Sequence, residues 1–184
     1  MKKISVEFVE NFLVVWDTAE GSKLYKKGYY GKPLGIAKPK IPEFRTPLIL
    51  DLMEGLYLAE KGIIAVHEGS DKKRVGLRKL RQMAWRIYEE FDEKYAVYRD
   101  LRNNDLVVTP GIKFGCDFAV YKQGPGMEHS PYMVSVKKTV SEMTATEIVK
   151  TGRLATTVRK RFIIAVPDLK RNRTRYLIFK WFKA

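Results

Sequence analysis

The opening stretch "ISVEFVENFLVVWD" alternates apolar and polar residues and is interrupted by the polar pair Glu10-Asn11. That pattern predicts two strands joined by a turn. "GSKLYKKGYYGKPLGIAKPKIPEF" starts as a short helix and passes into a Gly-, Pro- and Lys-rich loop over about 29–46. Thr46 as N-cap and Pro47 at the first helical position, followed by Leu48, Leu52, Leu56 and Ala59 on one face, predict a helix that Gly62 stops. The polar run 67–76 then suggests a boundary, with a small α+β domain over 1–70 and an α/β domain over 71–184.

In the second part Leu80, Ala84, Ile87, Phe91 and Tyr95 recur at spacings of three and four, which predicts one amphipathic helix from Leu77 to about residue 103. "LVV", "KFGCDFAVY" and "YMVSVK" read as strands. "TATEIVKTGRLATTVRKRF" reads as a helix opened by a Thr144–Glu147 capping box. "FIIAV" and "RYLIFKWF" are the last strands. Helix, three strands, helix, two strands is an α/β arrangement with a mixed sheet.

Composition narrows the class. With 184 residues and 45% hydrophobic content the chain can bury a real core. One cysteine, Cys116, allows no internal disulfide and suits a reducing, cytoplasmic setting. No Cys/His set has zinc-ligand spacing. No cofactor is expected. Glu7 and Glu10 fall within the first apolar run, which spoils a signal-peptide core, and no run approaches the ~20 apolar residues of a membrane span. The net charge of +14 points to a polyanionic partner, nucleic acid first. From Lys150 onward every charged residue except Asp168 is basic. Thermophilic surface charge would raise acids along with bases.

Two residues stand out near the middle. In "VYKQGPGMEHSPYMV", period two sets Tyr121 opposite the apolar face of Phe114, Cys116, Phe118 and Val120. His129 lies in a loop without apolar periodicity, and imidazole is the side chain that changes charge near neutral pH. Strand-end tyrosines usually pack, and lone loop histidines are usually solvated. On the later helix Arg153 and Lys160, seven residues apart, share a face, with Leu154, Val158 and Phe162 forming an opposing apolar stripe. A lysine within "RKR" is by itself an ordinary solvated residue.

Taken in order, "YRDLRNNDLVVTPGIKFGCDFAVYKQGPGMEHSPYMVSV" and "GRLATTVRKRFIIAV" resemble the catalytic domain of the archaeal tRNA-intron (splicing) endonucleases, from about residue 80 to the end. The resemblance implies a restriction-endonuclease-like α/β catalytic domain. It carries the catalytic tyrosine, histidine and lysine onto Tyr121, His129 and Lys160, as general base, general acid and charge stabiliser. It carries a base-sandwiching arginine pair onto Arg153 and Arg175. The implied reaction is metal-independent cleavage of precursor tRNA at bulge-helix-bulge junctions, leaving 2′,3′-cyclic phosphate and 5′-hydroxyl ends.

The family's acidic docking loop is here "DLKRNRT", with only Asp168 acidic. That departure leads us to expect a structural partner subunit with an acidic loop and a heterotetramer of two plus two. Family branches of that type carry a Lys-bearing insertion, for which Lys32, Lys38 and Lys40 are candidates to meet RNA phosphate; a plain connector is the other reading. Two rival functions are a metal-dependent nuclease on the same fold and a non-catalytic RNA-binding subunit. The first needs a second acid where Ser135 stands, and the second would lack the Tyr, His and Lys set.

Overall fold

A computed structural model describes residues 2–37, 39, 41–157 and 160–179. The chain forms two compact units, Met1–Glu89 and Glu90–Ala184. Each is mixed α/β around its own sheet.

In the first unit β1 (Ile4–Val9) and β2 (Phe12–Val15) form the expected hairpin, turned through Glu10 at φ 54°. Asp17 caps α1 (Thr18–Gly28) by accepting the N–H groups of Ala19 and Glu20 at 3.0 Å. β3 (Lys32–Pro33) and β4 (Leu48–Leu50) extend the sheet beyond β2. α2 (Leu52–Glu60) crosses to β5 (Ile64–Glu68), which lies parallel to β1, and β6 (Lys73–Arg74) completes the order β3-β4-β2-β1-β5-β6. α3 (Leu77–Ile87) buries Leu80 and Ala84 and packs on α2.

The helix expected from Thr46 begins instead at Leu52. Asp51 and Glu54 outcompete Thr46 because they cap reciprocally: the Glu54 N–H donates to Asp51 at 2.8 Å, and the Glu54 carboxylate accepts the Asp51 N–H at 3.4 Å. Leu48 and Leu50 are thereby left extended, between β2 and β3, and fully buried. Gly55 brings α2 onto the sheet, since a Cβ there would stand 1.8 Å from Leu13 Cδ1. The strand β5 was not anticipated. The polar run 67–76 folds as the β5–β6 turn within this unit, so the units divide at 89/90 rather than 70/71. α3 belongs to the first unit because its apolar stripe has its partner in α2.

The single helix expected over 77–103 is two. Tyr88 is extended and Glu90 left-handed (φ 53°), and α4 runs from Phe91 to Asn103. The apolar spacing stays in phase across the break, which is why periodicity does not reveal it. β7 (Val107–Pro110) leads to a 3₁₀ turn at Ile112–Phe114, then β8 (Phe118–Tyr121) and β9 (Tyr132–Val136). The strand expected from Lys113 is extended only from Phe118, because Gly115 turns left-handed at φ 66°. α5 (Ala145–Thr157) opens on the expected Thr144–Glu147 capping box and connects β9 to β10 (Arg161–Asp168), with β11 (Arg173–Phe179) last.

The second sheet has the order β11-β10-β9-β8-β7, and β9 and β10 are its parallel pair. On one face Phe118 meets the Tyr98 ring of α4 at 6.0 Å, and the Tyr176 hydroxyl donates to Asp100. On the other, Cys116, Met133, Phe162 and Ile164 form a buried cluster flanked by Phe114, Met143, Val166 and Phe179. Phe162 therefore belongs to β10, not to the apolar stripe expected on the preceding helix. Val158 and the Leu154 side chain lie outside what is described. None of the described helices is long and apolar enough to cross a membrane.

Candidate active site at one end of the second sheet

Strand register alone gathers the candidate residues. Val120 of β8 pairs with Tyr132 of β9, and Tyr132 pairs with Arg161 of β10. The end of β8 and the starts of β9 and β10 therefore share one end of the sheet. Tyr121 is the last residue of β8, His129 lies three residues before β9, and Lys160 is the residue before β10. The described part of α5 ends at Thr157, so Lys160 is not on a helical face with Arg153 as expected. It is a strand-entry residue, fixed from below by the Arg161 N–H, which donates to the Pro131 carbonyl at 2.8 Å.

The loop between Tyr121 and Tyr132 is tied at both sides of His129. Glu128 accepts the N–H groups of Lys122 and Gln123 at 2.5 and 2.6 Å. These donors, Gln123 first, hold its carboxyl below the usual carboxylate range. Ser130 is buried, with its hydroxyl 3.1 Å from the Val120 carbonyl and 2.9 Å from that of Tyr132. Its own carbonyl accepts a hydrogen bond from Lys160 Nζ. Ser130 thus touches the residue before Tyr121, the strand after His129, and the lysine. His129 itself is exposed, and Tyr121 is half-buried.

Lys160 Nζ also stands 4.8 Å from the centre of the Phe114 ring, a cation–π distance. Partial burial moves its ammonium below the ordinary lysine value. The neighbouring Cys116 thiol is pushed up to about 11 by burial, which keeps it protonated and unreactive at neutral pH. Asp117, the acid a metal nuclease would use, has its Oδ2 on the Val136 N–H at 2.8 Å and its Oδ1 3.1 Å from Lys94 Nζ.

The other candidates lie elsewhere. Arg153 is exposed on α5. Arg175 is exposed on β11 opposite Val166, six residues along from Lys160, or about 20 Å at strand rise. Lys32 is exposed on β3, and Lys38 and Lys40 fall outside the described residues. Nothing in the sequence pattern singles out Ser130 or Glu128 as braces.

Comparison with known proteins decides the family. Residues 4–81 match the family model of the tRNA intron endonuclease N-terminal domain, and residues 91–176 match that of its catalytic C-terminal domain. The chain belongs to the tRNA-intron endonucleases. The two matches leave out 82–90, where the units divide. The chain is 46% identical over 170 residues to a tRNA-splicing endonuclease of Hyperthermus butylicus, covering 92% of this chain and 93% of that one. It is 40% identical over 178 residues to the one from Sulfurisphaera tokodaii, covering 96% and 98%. It is 42% identical over 165 residues to one from Saccharolobus islandicus, covering 89% and 90%. This tRNA-intron endonuclease is therefore an enzyme acting on tRNA, and its catalytic domain is the unit that holds Tyr121, His129 and Lys160.

Proposed function

We propose that this chain is a catalytic subunit that cuts precursor tRNA at bulge-helix-bulge junctions without a metal, leaving 2′,3′-cyclic phosphate and 5′-hydroxyl ends. In this reading Tyr121 takes the proton of the 2′-hydroxyl, and His129 gives one to the departing 5′-oxygen. Each transfer is worth typically 10²–10⁴ in rate. Lys160 faces the charge that develops on the phosphorane, acting through a fixed cation rather than a mobile one. The observation that carries the reading is the register that draws Tyr121, the His129–Ser130 pair and Lys160 to one sheet end. The engagement of both Asp117 carboxylate oxygens, by the Val136 N–H and by Lys94, favours this over the metal-dependent alternative.

Arg153 and Arg175 are assigned to holding an extruded base between guanidinium planes, a usual mode for unpaired RNA. Lys32, Lys38 and Lys40 are assigned to phosphate, which positions the substrate without specifying it. The assembly is a heterotetramer with a partner subunit that supplies an acidic loop. In support, Asp168 Oδ1 accepts the N–H groups of Lys170 and Arg171 of its own turn at 3.1 Å, so the one acid of the 168–173 loop is spent within it.

The test is incubation of the chain, alone and with its partner, with a bulge-helix-bulge RNA in excess chelator. Cyclic phosphate and 5′-hydroxyl ends are expected, and 5′-phosphate ends overturn the mechanism. A monodisperse, fully active particle of this chain alone overturns the heterotetramer.

A further inference from the structure

A lysine side chain is a point charge on a long flexible stem, so its use as a fixed cation depends on what holds it. Other lysines of the second unit are held by acids: Lys94 lies 3.1 Å from Asp117 and Lys138 lies 3.4 Å from Glu90. Among the described residues no carboxylate pairs with Lys160. Its Nζ donates to the Ser130 carbonyl and stands over the Phe114 ring, 4.8 Å from the centroid. The difference matters for chemistry. A carboxylate would hold the ammonium and neutralise its charge, whereas an aromatic face attracts a cation through its quadrupole and brings no net charge of its own. An ammonium has three donors, so the bond to Ser130 leaves N–H groups for an anionic oxygen.

The chain is folded to put the ring there. Period two places Phe114 on the apolar face of a strand, but the backbone turns it back in the Ile112–Phe114 3₁₀ turn. The Phe114 N–H donates to the Gly111 carbonyl at 2.8 Å, and Gly115, left-handed at φ 66°, donates to the Ile112 carbonyl at 3.0 Å. Gly111 lies too close to the following residues to carry a side chain, since a Cβ there would stand 2.6 Å from Cys116 Sγ and 2.7 Å from the Cys116 carbonyl oxygen. The Phe114 ring packs on the buried cluster of Cys116, Met133, Phe162 and Ile164. Phe162 is two residues along β10 from Lys160, so the strand that Lys160 leads into also braces the ring beside it.

We propose that Phe114 is a positioning residue for cleavage: its ring holds the Lys160 ammonium at the sheet end without an acid, leaving the positive charge for the phosphate at the cut. The proposal rests on Lys160 being the charge stabiliser of the reaction.

The experiment places mono-, di- and trifluorophenylalanine at position 114 of the full chain, assembled with its partner subunit. Fluorine drains the ring face of negative potential stepwise and nearly keeps its shape, so the packing on Cys116 and Phe162 is retained. Single-turnover cleavage of precursor RNA should fall stepwise, by about 2- to 30-fold over the series, with RNA affinity unchanged. In a Lys160→Ala chain the same series should leave the remaining rate flat. A flat series in the chain that keeps Lys160 overturns the proposal, as does a decline that persists without Lys160. A loss of affinity in place of rate also overturns it, since the ring would then touch RNA, and so does a rate loss that tracks the thermal unfolding midpoint, since the ring would then only pack. Lys160→Ala with native Phe114 is read separately: an unchanged rate there sinks the catalytic reading of the lysine, whereas a slowed rate beside a flat series sinks only the role of Phe114.

Discussion

The chain has two polar surfaces of opposite construction. At the end of the second sheet three polar side chains are tied to backbone: Ser130 to Val120 and Tyr132, Glu128 to Lys122 and Gln123, Lys160 to Ser130. On α3, charged side chains stand exposed on a helix that buries Leu80 and Ala84 against α2 and is tied to β5 by the Lys79–Glu68 ion pair. The tied sheet end suits the chemistry proposed for it. Moving protons and stabilising a transition state depend on placement within a fraction of an ångström. Attracting phosphate depends on charge over a Debye length and tolerates motion.

Mutations can break this contrast. The largest effect is expected at the sheet end: Tyr121→Phe, His129→Ala and Lys160→Ala should each lower single-turnover cleavage by about 10²–10⁴ with little change in RNA affinity. A fall in affinity without loss of rate would mean that these groups bind substrate and do no chemistry. Next comes Ser130→Ala, which keeps all three groups and removes their brace. It should slow cleavage by up to ~10²-fold, the cost of misplacement, and lower stability by about 1 kcal/mol in denaturant titration. An unchanged rate would show that the brace is structural only.

Glu128→Ala should cost less, because the group is at the loop surface, and its effect should fade in acid. Its carboxyl is held low in the folded state, so its contribution is present above the ordinary carboxylate range and lost as pH falls through the folded value. A pH–stability profile of the wild type that matches the variant's at low pH and exceeds it at neutral pH is the expected result. The smallest effect concerns Cys116, with a thiol raised to about 11. It should resist alkylation at pH 8 in the folded protein and react readily once unfolded. Fast reaction in the native state would mean that the Cys116–Phe162 cluster opens.

The parts of the fold that the sequence made legible are those with one dominant local signal. The β1–β2 hairpin, the Thr144–Glu147 capping box and the β10–β11 pair each have a single pattern and no competitor. Where two signals compete, reading fails. Thr46-Pro47 and Asp51–Glu54 both mark a helix start, and only the pairing of Leu48–Leu50 with its neighbours separates them. The short apolar run of β5 is ambiguous without its partner β1, and a helix break that preserves phase, as at Tyr88–Glu90, leaves no trace in spacing. For the site, Tyr121 and His129 were visible as residues, but Lys160 was set on a helix because "RKR" continues a helical pattern. Its position before β10 is fixed by pairing with a strand 30 residues earlier, which no local window contains.

That separation has a further consequence. The crossover from β9 through α5 to β10 means that, during synthesis, Tyr121 and His129 leave the ribosome well before the lysine that completes the set. Even then Lys160 has no fixed place until β10 has zipped against β9. A nascent or truncated chain ending within α5 holds two of the three groups and lacks the cation. On the roles proposed for Tyr121, His129 and Lys160, cleavage activity should arise only with the finished sheet.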